Sequence, residues 1–201
     1  MTNVALLWHM HQPYYEDLAT GEHILPWVRM HALKDYYGMV ALLREFPAMK
    51  LTFNLVPSLL VQLEAFAEER ALDRHLELGL KPVPMLTDED KAAMLSEFFH
   101  APRGRMIAPY PRYAELLQKR DAHSSFTNHD FLDLQVWHKL VWVDPFYLDT
   151  DPRVRRLIEN RRNLQGERQQ QQREQERGND LAQHIAVENP QHEMVSGEDI
   201  T

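Results

Sequence analysis

The chain has 201 residues, of which 44% are hydrophobic, and its formal net charge is −8. That acidic balance disfavours a general affinity for nucleic acid or for an anionic membrane, and the absence of cysteine excludes a disulfide framework or a thiolate metal site. We find neither a secretory signal nor an apolar run of the roughly 20 residues that a membrane span needs, so we expect a soluble, cytoplasmic protein.

The first 56 residues predict an α/β arrangement. An apolar run at residues 3–8 predicts a strand that is buried on both faces, as continuous apolar runs usually are. Residues 9–25 predict a long loop, a helical pattern follows from Trp27 to about Phe46, and residues 50–56 predict a second strand. Strand, helix and strand in this order favour a parallel pair with a right-handed crossover.

The chain after the second strand predicts helices only. Capping residues, prolines and helical periodicity define several of them, at residues 57–71, 88–99 and 128–141. The dipeptide Asp144-Pro145 is expected to end the last of these. Because no third strand follows, we interpret these four or five helices as an insertion.

The composition changes near residue 162. Residues 163–201 contain eight glutamines, and eight acidic residues against three basic ones give this segment a charge of −5. Such a segment buries too little apolar surface to offset the entropy of ordering it, so we predict a disordered, Gln-rich polar tail. The predicted organisation is therefore a domain at 1–162 and a tail at 163–201.

Two histidines stand where the first predicted strand ends. His9 and His11 are two residues apart on an extended segment, so their side chains point to the same face. In α/β folds, polar groups just past the carboxyl end of a strand build binding sites. Three interpretations stay open, namely contact with substrate hydroxyls, ligation of a metal that would need a third ligand, and packing beneath the loop.

A second group of candidates begins the first long helix. Trp27, His31 and Asp35 follow each other at intervals of four, which places them on one helical face. An aromatic ring beside hydrogen-bonding groups suits a carbohydrate, whose apolar face stacks on the ring while its hydroxyls bond the polar groups. In the alternative, Trp27 packs into the core, and Arg29 and Asp35 form surface ion pairs.

At four places the sequence resembles one enzyme family. The segment Trp-His-Met-His-Gln-Pro-Tyr at residues 8–14 is similar to the first signature region of glycoside hydrolase family 57, which has His-Gln-Pro after strand one. Further segments resemble its amylase and amylopullulanase-like members, at residues 25–37, 52–59 and 133–140. Together the resemblance covers residues 2–160.

This resemblance implies a fold, a substrate and a site. It implies the N-terminal portion of an incomplete, TIM-like (β/α)7 barrel with a helical insertion, acting on α-glucans such as starch and maltooligosaccharides without a cofactor. It places His11 in the pocket lining near the sugar that is cleaved. We expect four further substrate-binding residues in the same wall, namely His9, Trp27, His31 and Asp35.

The resemblance also implies what this chain lacks. A retaining glycosidase needs two carboxyl groups about 5–5.5 Å apart. The family's glutamate nucleophile and aspartate acid/base lie on strands downstream of the first signature, and neither motif occurs in these residues. We therefore expect a truncated domain that has no catalytic residue of its own and is inactive alone.

Two other functions remain open at this stage. A metal-dependent sugar hydrolase of the α-mannosidase or polysaccharide deacetylase type would use His9 and His11 as ligands. A non-catalytic remnant would bind carbohydrate or a protein partner. The glucan specificity, the choice between hydrolase and transferase, and the oligomeric state are not determined by these residues.

Overall fold

The computed structural model describes residues 4–159, and its described part is mostly helical with a small parallel sheet. The chain divides into two units, Met1–Val154 and Arg155–Thr201; of the second, residues 155–159 are described and are helical. The predicted tail at 163–201 lies outside the described residues.

The elements are, in chain order, β1 (Leu7–Met10), α1 (Trp27–His31), a π-helical segment (Ala32–Tyr36), α2 (Tyr37–Leu42), β2 (Thr52–Leu55), α3 (Pro57–Ala67), α4 (Arg74–Leu80), a 3-10 turn (Val83–Met85), α5 (Asp88–Glu97), a π-helical turn (Arg103–Ile107), α6 (Pro111–Asp121), α7 (Asn128–Leu140) and α8 (Pro145–Thr150).

The two strands form the parallel pair that the sequence predicts. They pair residue for residue, with Leu7 opposite Thr52 and His9 opposite Asn54. The predicted bounds of the first strand are wrong, because pairing with β2 carries β1 through His9 and on to Met10. The loop accordingly begins at residue 11.

Within the described residues, helices cover one face of the sheet. Met10 is buried with Val28 of α1 and Leu59 of α3, and Phe53 packs against this cluster. Side chains alternate along a strand, so Leu7, His9, Thr52 and Asn54 share the opposite face, which we call the open face.

The prediction that the first strand is buried on both faces is therefore wrong for the described residues. Leu7 on the open face is 60% exposed, and His9 and Asn54 are exposed as well. The physical reason is that α1 and α3 both pack on the face of Met10, and no described element covers the other face. The open face presents polar groups toward the carboxyl ends of the strands.

The helical predictions are confirmed in kind, but their bounds are corrected, and at least six helices rather than four or five follow β2 among the described residues. Helix formation from Trp27 ends at Leu42 rather than Phe46, and it includes the π-helical segment, which periodicity does not reveal. Asp144 does not end α7; it caps α8, where its carboxylate accepts a hydrogen bond from the Phe146 N–H at 2.7 Å. Within the described residues, no helix combines the length and apolar character needed to cross a bilayer.

Candidate functional site

The carboxyl end of the sheet brings His9, His11 and Asn54 together. His9 Nδ1 lies 2.8 Å from the amide nitrogen of Asn54, its partner across the strands. The rings of His9 and His11 are 5.5 Å apart between centroids. All three side chains are exposed, so they are available to a ligand at the open face.

The loop after β1 is held by the side chains of α3. The Ser58 hydroxyl donates to the Gln12 carbonyl at 2.9 Å. Gln62, only 1% exposed, accepts from the Tyr15 N–H at 2.9 Å and donates to the Pro13 carbonyl at the same distance. These bonds fix the backbone that follows His11, and sequence reasoning did not single out either residue.

The side chains of the second candidate group, Trp27, His31 and Asp35, also lie close together. His31 Nδ1 lies 2.6 Å from a carboxylate oxygen of Asp35, and the rings of Trp27 and His31 are 6.3 Å apart. Buried Trp142, which follows α7, contacts both rings, at 6.0 Å from Trp27 and edge-on at 5.6 Å from His31. About a third of the His31 and Asp35 side chains is exposed. We call Trp27, His31, Asp35 and Trp142 the aromatic cluster.

The π-helical segment carries part of this cluster. Asp35 and Tyr36 both lie in it, and its wider turn still lets Asp35 reach His31 one turn back. Asp35 also pairs with Lys34, at 3.3 Å. Isolated π-helical turns inside α-helices occur often at functional sites.

Tyr36 lies between the aromatic cluster and the core on the covered face of the sheet. Its ring lies 6.3 Å from that of His31, and it packs against the buried cluster that contains Met10. Burial raises the pKa of Tyr36 and that of Tyr15, so both phenols stay protonated at neutral pH. Tyr15 donates its hydroxyl hydrogen to the Gln12 side chain at 3.0 Å.

The described residues do not supply the ligand set of a metal-dependent hydrolase. Such a site needs a third protein ligand beside His9 and His11. Across residues 4–159, no group of three or more histidine, cysteine, aspartate or glutamate side chains is placed to hold a metal ion. The geometry of this part of the chain therefore gives the metal interpretation no support.

Comparison with known proteins identifies the family. The family model described as Glycosyl hydrolase family 57 matches residues 5–175. No curated protein and no solved structure matches the chain. The match spans most of the 201 residues and includes both groups of candidate residues. The chain belongs to glycosyl hydrolase family 57, whose substrates are carbohydrates.

Proposed function

We propose that residues 5–154 form part of an α-glucan site in a retaining glycoside hydrolase or 4-α-glucanotransferase. Family membership supports the reaction class and a carbohydrate substrate. The observation that carries the proposal is the pair of exposed imidazoles of His9 and His11 at the strand ends. The aromatic cluster, in which the Trp27 ring lies beside the His31 imidazole, is a second group suited to contact a sugar. The (β/α)7 barrel that would enclose such a site stays a prediction of the family resemblance.

Each candidate residue has a role that its chemistry suits. His11 contacts the sugar beside the bond that is cleaved, and His9 binds a hydroxyl near it. Trp27 is partly exposed and gives the sugar ring an apolar surface. Because an ionised carboxylate only accepts hydrogen bonds, Asp35 holds the proton of His31 on Nδ1, so in the neutral ring Nε2 is left to accept from a hydroxyl.

Binding without turnover is the behaviour we infer for this chain alone. A retaining mechanism needs a nucleophile and an acid/base carboxyl about 5–5.5 Å apart. The family resemblance implies that its glutamate and aspartate lie on strands downstream of the first signature, and we infer that these 201 residues lack both. His11 and the aromatic cluster would position substrate for these two carboxylates.

Isothermal titration calorimetry of the full chain tests the substrate class. We expect maltoheptaose, an α-linked oligosaccharide, to bind with a measurable affinity. Cellohexaose, a β-linked oligosaccharide of similar size, is the matched control and should bind at least tenfold more weakly. Equal affinity for both sugars, or no binding of maltoheptaose, would contradict an α-glucan site.

A further inference from the structure

The contact between Asn54 and His9 determines which nitrogen of the imidazole carries its proton. The two residues are opposite each other in the parallel pair and lie on the same open face. The Asn54 amide nitrogen, which can only donate, lies 2.8 Å from His9 Nδ1. In this arrangement Nδ1 accepts, and in the neutral ring the proton is then on Nε2.

The position of this proton decides what His9 offers to a ligand. With the proton on Nε2, the exposed edge of the ring is a hydrogen-bond donor; with the proton on Nδ1, the same edge is an acceptor. Among the described residues none accepts a hydrogen bond from Nε2, and the ring is exposed on the open face. The donor is thus free for an oxygen of a bound molecule.

We propose that Asn54 is a positioning residue that holds His9 in the Nε2–H tautomer, so that His9 donates a hydrogen bond to a substrate oxygen. The identity of that oxygen as part of an α-glucan rests on the proposed function, whereas the tautomer does not. His31 has the opposite arrangement, because Asp35 holds its proton on Nδ1. The proposed site would then offer a donor at His9 and an acceptor at His31 to sugar hydroxyls.

Nitrogen-15 NMR of the labelled full chain reads the tautomer directly. Spectra recorded well above the ordinary imidazole pKa of about 6.5 distinguish protonated from unprotonated ring nitrogens. The His9 signals are assigned by their loss in His9→Gln. We expect a protonated Nε2 and an unprotonated Nδ1 in the natural chain.

Asn54→Asp is the decisive variant, because it is nearly the same size and replaces a donor by an acceptor. We expect the proton of His9 to move to Nδ1. Thr52→Val is the matched control: Thr52 precedes Asn54 by two residues on the same face and pairs with Leu7, so the tautomer of His9 should not change. A natural chain already protonated on Nδ1, or a tautomer unchanged by Asn54→Asp, would overturn the assignment.

Calorimetry with maltoheptaose then tests the role in substrate binding. We expect Asn54→Asp to weaken binding about tenfold or more, as the loss of one hydrogen bond to a neutral group predicts. Asn54→Leu removes the donor without introducing a charge, and it should also weaken binding. This variant therefore distinguishes loss of the Nε2–H tautomer from an effect of the added negative charge. Thr52→Val should bind like the natural chain.

The outcomes separate this inference from the proposed function. Unchanged affinity in Asn54→Asp and Asn54→Leu, each with the circular dichroism spectrum of the natural chain, would overturn the role of Asn54 in binding. Failure of the natural chain to bind maltoheptaose would refute the proposed function and with it the substrate part of this inference. The tautomer measurement needs no sugar, so it tests the tautomer assignment independently of substrate binding.

Discussion

At the scale of single residues, Gln62 links α3 to the loop that follows the strand-end histidines. Its buried amide bonds the main chain at Pro13, Tyr15 and Ser58, with distances between 2.6 and 2.9 Å. A buried main-chain group left without its hydrogen bond is unfavourable by about 1–3 kcal/mol. The position of His11 therefore depends on a residue that touches neither histidine.

We predict that Gln62→Met lowers the free energy of unfolding by about 2–3 kcal/mol, because methionine fills the space but makes none of these bonds. Urea-induced unfolding followed by circular dichroism measures the change. Gln118→Met is the control, since Gln118 is an exposed glutamine on α6, and its effect should stay within about 0.5 kcal/mol. Equal effects of the two substitutions would contradict the role of Gln62.

The candidate residues show what sequence can predict at this scale. The contacts between Trp27, His31 and Asp35 follow from helical spacing, and the structure brings the three together. Asn54 and Trp142 join their groups only through pairing and packing of segments far apart in the chain. Local periodicity carries no information about such long-range contacts, so sequence reasoning missed them.

At the scale of elements, the start of helix α5 is determined by local capping interactions. Thr87 and Asp90 form a capping box, in which each side chain accepts a hydrogen bond from the backbone N–H of the other. The Lys81 ammonium donates to the Asp90 carboxylate at 2.5 Å. These interactions, the bond from Lys81 first and the Thr87 backbone N–H second, lower the pKa of Asp90 from 3.8 to about 2.

A lowered pKa in the folded state gives a pH dependence of known sign. The ionised carboxylate stabilises the fold above its ordinary pKa of 3.8, and this contribution is lost as the pH falls toward about 2. We predict that Asp90→Asn lowers the melting temperature at pH 6 and that the difference from the natural chain shrinks across this window. Thermal unfolding at a series of pH values measures it.

Asp88→Asn is the control for this experiment. Asp88 stands in the first turn of the same helix, but its side chain is fully exposed. Its substitution should leave the acid dependence of the melting temperature unchanged. A deficit of Asp90→Asn that stays constant or grows as the pH falls would contradict the account of α5.

The strands show where sequence patterns stop being informative. The apolar run before His9 predicts a strand and its parallel partner, and both exist. It does not predict which face is covered, because Leu7 and Met10 are equally apolar while only Met10 meets α1 and α3. Burial is decided by the packing of helices that lie elsewhere in the sequence.

At the scale of the whole molecule, the chain belongs to glycosyl hydrolase family 57, and we propose that it binds carbohydrate without a catalytic pair of its own. We predict that the purified chain releases no reducing sugar from maltoheptaose or soluble starch, because the family resemblance implies that its catalytic glutamate and aspartate are not among these residues. A reducing-sugar assay over long incubation measures this. Release of reducing sugar that is lost in His11→Ala would contradict the prediction.

The central claim is that the strand-end histidines and the aromatic cluster belong to one sugar site. NMR titration of the labelled chain with maltoheptaose tests it most directly, by following the imidazole signals of His11 and the indole N–H signals of Trp27. We predict that both shift with the same dissociation constant, while exposed His129 on α7 and buried Trp137 do not shift. Shifts confined to one group, two different dissociation constants, or equal shifts at His129 would contradict a single site.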